Sequence, residues 1–117
     1  DPAAKFTGDA AGRDSAGAPI AVTFAARYDS RLRPRGAVTV RFSGGTFTAK
    51  DPLWIVHVGN VAVFEDVGTL NGSTARLRLR VDDNAEPARP DTFRARIGAY
   101  DSGTTAVTSG NLQSHPT

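Results

Sequence analysis

The sequence predicts an all-β domain of about eight short strands, mostly sequential and antiparallel, closed as a β-sandwich or a β-barrel, with no substantial helix. Three observations predict it. From residue 19 onward apolar and polar residues alternate with period two, the pattern of a strand buried on one face. Turn-forming pairs, among them Gly44-Gly45, Gly59-Asn60 and Asn71-Gly72, interrupt the chain at short intervals. No stretch of ten or more residues carries a capped amphipathic helical pattern.

In PIAVTFAARYD, Ile20, Val22, Phe24, Ala26 and Tyr28 share one face. SRLRPRG, punctuated by Pro34 and Gly36, leads to AVTVRFSG, where Val38, Val40 and Phe42 do the same, and SGGT before Phe47 supplies a short hairpin. The run LWIVHVGNVAVFEDVGTL is long and apolar enough for a helix. Its β-branched residues, its Gly59-Asn60 break and its poor fit to a 3.6 period make it two strands. Asn71-Gly72 suits a type I′ hairpin turn, both of whose central positions need positive φ. ARLRLRVD and TFRARIGAY follow as alternating strands, and TTAVTS is the last. A single β-domain, residues 19–113, thus lies between a flexible N-terminal segment, 1–18, and a frayed tail, 114–117.

A length of 117 residues with 39% hydrophobic content suits one core. The net charge of +2 does not point to nucleic acid. No stretch approaches the roughly 20 apolar residues of a membrane span. There is no cysteine, hence no disulfide or thiolate chemistry. The opening DPAAKFTGDAAGRDSAGAP has no charged-then-apolar leader pattern. The two histidines, His57 and His115, form no pair, and neither a nucleophile elbow nor a phosphate or dinucleotide loop is present. These absences point to a non-catalytic protein. His57 reads as a strand residue that faces outward or is hydrogen-bonded, and Trp54 as a core or sheet-edge aromatic.

The segment RLRLRVDDNAEPARPDTFRARI sets Arg76, Arg78 and Arg80 against Arg94 and Arg96. Burying Leu77, Leu79 and Val81 on the face of Phe93, Ala95 and Ile97 places Arg80 opposite Arg94 and Arg78 opposite Arg96, because a one-residue slip would send the apolar set into water. The alternation is first a burial pattern. Like charges face to face need compensation, and continuing the register from the Asn71-Gly72 turn sets Glu65 across from Arg78. The same register puts Asp66 on the buried face, a conflict that a bulge near Glu65 to Val67 would relieve. A sharper reading makes Arg76, Arg78, Arg80, Arg94 and Arg96 an anion-binding stripe, which Arg27, Arg31, Arg33, Arg35 and Arg41 would extend if they lie on the same side. The small net charge predicts weak retention on polyanions, indifferent to which arginines are present.

Asp82, Asp83, Asn84, Glu86 and Asp91 gather oxygen ligands of the kind calcium takes, though not at EF-hand spacing. The alternative is a hairpin connection of turn formers stiffened by Pro87 and Pro90, and no metal or other cofactor is expected. His57 and Asp66, if they point inward, are the polar residues of an interior pocket.

VFEDVGTLNG followed by VDDNAEPARPDTFRARI, with FAARYDSRLRPRGAVTVRF upstream, resembles the post-COAP type domains of secreted bacterial proteins. There an alternating strand enters an Asp-Asn-Gly-Glu-Pro loop and an Asp-x-Phe strand; this chain has Ala85 at the glycine position. The resemblance covers roughly residues 17 to 98. It implies an extracellular β-domain that serves as an accessory piece or a small secreted protein, and it brings no catalytic residues. The expected function is a secreted non-catalytic binding module at the cell surface, with an anionic glycan or another surface protein as partner. The alternative is a small-molecule-binding or cyclase-like β-barrel with an interior pocket.

Overall fold

Residues that alternate in the sequence form strands here, and so do segments on either side of them whose alternation is faint. The computed structural model describes residues 5–84 and 89–115. Its strands are β1 (Lys5–Arg13), β2 (Pro19–Tyr28), β3 (Pro34–Phe42), β4 (Gly45–Ala49), β5 (Trp54–Val58), β6 (Val61–Leu70), β7 (Ser73–Asp82), β8 (Thr92–Ile97), β9 (Tyr100–Asp101), β10 (Thr105–Ala106) and β11 (Ser109–His115). No helix occurs among the described residues. The strands form one antiparallel sheet in the order β10-β8-β7-β6-β4-β3-β2-β1-β11, with β5 added to β6 and β9 to β8. It curls into a half-barrel, in place of the closed barrel or two-sheet sandwich that the sequence predicts.

β6 changes partner along its length. Val61–Glu65 pair with β5, whereas β4 reaches only Thr69 and Leu70. At Gly68, between them, a Cβ would lie 2.0 Å from the Thr48 carbonyl oxygen, so only glycine lets β4 come this close. On its other side β6 pairs with β7 without interruption from Val61 opposite Asp82 to Leu70 opposite Ser73. The turn between them has φ of 51° at Asn71 and 88° at Gly72, as a type I′ hairpin requires. The bulge expected near Glu65 to Val67 is absent, and β6 keeps its pairing with β7 through these residues. Asp66 consequently stays on the inner face opposite Leu77, 2% exposed, its Oδ2 without a hydrogen-bond partner.

The inner face of the curl is the core. Phe6, Ile20, Val22, Val40, Phe47, Phe64, Leu77, Leu79, Val81 and Phe93 are all fully buried. Phe24 of β2 meets Phe64 of β6 across the interior at 5.7 Å between ring centroids, so the β1–β4 wall packs against the β5–β8 wall. The thinnest dimension, 18 Å, leaves room for a single layer of interdigitated side chains between the walls.

Both chain ends depart from expectation. The segment expected to be flexible, 1–18, contains β1, held between β2 and β11. The tail expected to fray contributes the end of β11, which reaches His115 and buries Leu112. Pro34 and Gly36, expected to punctuate a connection, lie within β3 opposite Tyr28 and Ala26.

Candidate functional site

The outer face of β5 to β9 carries the residues singled out from the sequence. Cross-strand pairing aligns Trp54, Glu65, Arg78, Arg96 and Asp101 in one row over five strands. The next row holds Val56, Val63, Arg80 and Arg94, and the one after it Val58, Val61, Asp82 and Thr92. Arg80 faces Arg94 and Arg78 faces Arg96, as burial of the alternate residues demands; all five arginines of the stripe are exposed while Leu77, Leu79, Val81, Phe93, Ala95 and Ile97 are buried.

Carboxylates separate these cations. Arg76 Nη1 donates to Glu65 Oε1 at 3.0 Å and Arg78 Nη2 to Glu65 Oε2 at 2.6 Å. The two guanidinium groups, Arg78 foremost, hold the Glu65 carboxyl below its usual range against the opposing effect of burial. Arg80 grips Asp82 through two contacts, 2.9 and 3.1 Å. Arg94 grips Asp101 in the same forked manner and, with the Gly103 N–H, drives the Asp101 carboxyl far down. Arg96 reaches Asp101 only at 3.9 Å, an oxygen Arg94 already occupies. Among the described residues five arginines thus meet three carboxylates, and a shallow open groove of about 410 Å³ lies among Glu65, Arg76, Arg78, Arg96 and Gly98.

Beside the stripe the same face is apolar. Val56 and Val58 on β5 are 52% and 71% exposed and stand opposite the half-buried Val63 and Val61, with Trp54 two residues before Val56 on the same face. The Arg78 guanidinium lies 5.5 Å from the centre of the Trp54 ring, bridging the apolar and charged parts. The edge of β5 is capped at Ile55: Tyr28 Oη donates to its carbonyl at 2.7 Å and accepts from its N–H at 3.1 Å. Sequence reasoning missed the valine cluster because LWIVHV is apolar at both parities, Ile55 as well as Val56, and alternation then identifies no outer face.

The remaining predicted groups are dispersed. Arg27, Arg35 and Arg41 lie on β2 and β3 and Arg31 and Arg33 on the connection between them, so they do not extend the stripe. Asp29 organises that connection, accepting from the Arg31 and Arg33 N–H groups and from the side chains of Arg33 and Arg35.

Of the acidic loop, Asp82 is taken by Arg80, while buried Asp91 accepts from the N–H groups of Asn84 at 2.9 Å and Leu112 at 3.2 Å and so ties the loop to β11. The Asp83 carbonyl accepts from Asn60 Nδ2, and Glu86 lies outside the described residues. Among the described residues no three acidic or histidine side chains gather as a metal site.

His57 turns inward rather than outward, edge-on to Phe6 at 5.3 Å. It sits opposite Ala62, four residues along β6 from Asp66, which is about 13 Å of strand, so the two do not share a pocket. Burial pushes the Asp66 carboxyl up to about 6, and the charge of Asp51 adds to this.

No helix among the described residues is long and apolar enough to cross a membrane. Compared with known proteins, the chain matches no family model, no curated protein and no solved structure.

Proposed function

We propose that this chain is a secreted, non-catalytic binding module, an accessory domain at the cell surface, which meets its partner through the outer face of β5 to β9. The observation that carries this reading is the gathering on one face of Trp54, an exposed valine cluster and five arginines only partly neutralised by Glu65, Asp82 and Asp101. The inner face is packed with phenylalanine and aliphatic side chains, which favours surface binding over an interior pocket. The resemblance to post-COAP type domains supports the extracellular setting.

The register replaces the expectation of site-indifferent retention with a site-specific one for this face. Most of the arginine charge is compensated, so attraction to a pure polyanion is weak; the excess lies where Arg76 and Arg78 share Glu65 and at Arg96, 3.9 Å from an oxygen that Arg94 occupies, and retention should depend on these positions. On immobilised polygalacturonate at low salt, the protein is expected to be retained briefly and released near 0.1 M salt, where charges are screened over about 10 Å. Arg78→Ala with Arg96→Ala should abolish the retention, and Arg13→Ala with Arg31→Ala should not. Equal loss from both pairs would refute the assignment of this face.

A further inference from the structure

We infer that the partner is a protein whose contact surface has an apolar centre and an acidic rim, seated over Val56, Val58, Val61 and Val63. This rests on the reading that the outer face of β5 to β9 is the contact surface.

Four branched aliphatic side chains sit side by side in two directly opposed pairs, with Val58 71% exposed. Soluble proteins seldom leave contiguous apolar area of this kind in water unless something covers it. Trp54 and Arg80, of residue types enriched in protein interfaces, lie immediately beside it in the neighbouring and the same cross-strand rows. Because the β5 edge is capped by the Tyr28 hydroxyl at Ile55, the partner lies on the face of the hairpin and does not add a strand to it.

The rim's charge selects the partner's chemistry. Five arginines against three carboxylates call for acidic groups opposite them. A second copy of this chain would bring the same arginine excess against itself. A uronate polymer would engage the arginines but leave the valines in water, and the nearby aromatic ring on which a sugar would stack, Trp54, already has Arg78 beside it.

The test measures binding of the intact protein to three polymers matched in the number of carboxylates per chain: a random copolymer of glutamate and tyrosine, polyglutamate, and polygalacturonate. The copolymer should bind at least ten-fold more tightly than either homopolymer. Val56→Thr with Val58→Thr, which keeps shape, charge and strand preference, should remove that advantage without changing the thermal transition. Equal binding of all three polymers, with the valine pair silent and the Arg78 and Arg96 pair decisive, overturns the protein partner and leaves a purely anionic site. Failure of all three to bind overturns the contact face itself.

Discussion

Asp66 is the residue where the register imposes a cost. The unbroken β6–β7 pairing holds it on the inner face, where desolvation raises its carboxyl from 3.8 to about 6. A folded-state value above the unfolded one means that the folded protein binds this proton more tightly. The group therefore adds stability as pH falls through 6 towards 4 and removes it at neutral pH, by at most about 3 kcal/mol. Glu65, Asp29, Asp51 and Asp101 have lowered values and lose their stabilisation only as pH falls below the ordinary carboxylate range. The wild-type melting temperature should thus be higher at pH 5 than at pH 7.5. Asp66→Asn should raise it at pH 7.5 and flatten the difference; a variant with the wild-type pH profile would show that Asp66 is not strained. Glu65→Gln acts in the other direction, leaving Arg76 and Arg78 facing each other's charge, and its lowered melting temperature should recover in part at high salt.

At the level of elements, β6 depends on a glycine and on its neighbours' edges. A methyl group at Gly68 would overlap backbone of β4, so Gly68→Ala should cost on the order of 1–3 kcal/mol as an overpacked site, seen as a lower urea midpoint with unchanged slope. The hairpin end of β6 is fastened to β4 by Asn71, whose Oδ1 accepts from Thr46 N at 3.1 Å and whose Nδ2 donates to the Gly44 carbonyl at 2.8 Å. Tyr28 performs a comparable service for β5. Tyr28→Phe removes both hydrogen bonds to Ile55 and uncovers the edge, so it should lower stability by about 1–2 kcal/mol and promote association at high concentration, followed by light scattering.

For the whole molecule, the two walls of the curl share one core and the chain ends complete it. β10 pairs with β8 and β11 with β1, so the last residues link the two extremities of the sheet, reinforced by Thr108 N to Ala11 O at 2.8 Å and Leu112 N to Asp91 Oδ2. Leu112→Ala should accordingly cost about 2–4 kcal/mol, as for a buried leucine, and no change would mean that β11 does not complete the core. Unfolding should be a single transition by fluorescence and circular dichroism, because neither wall has a core of its own. Two transitions would mean that the walls fold independently.

The sequence by itself determined the β7–β8 register, its facing arginines and the Glu65–Arg78 pair, but not the unbroken run of β6 through Asp66, where it led to a bulge. A two-residue turn at Asn71-Gly72 and strict alternation leave one pairing that buries Leu77, Leu79, Val81, Phe93 and Ile97 together. Tertiary structure decided the rest. The inward positions of β1 are Phe6, Gly8, Ala10 and Gly12, and β11 offers Leu112 as its one large apolar side chain among the described residues. The glycines are covered by what packs on them, the Phe24 and Leu112 side chains at Gly8 and the Ala106 carbonyl at Gly12, which leaves no periodic signal in β1 itself. Where both parities are apolar, as in LWIVHV, only the curl of the sheet chooses which valines face water. The change of partner along β6, from β5 to β4, likewise leaves no mark on local alternation, because it is set by neighbouring strands rather than by β6 itself.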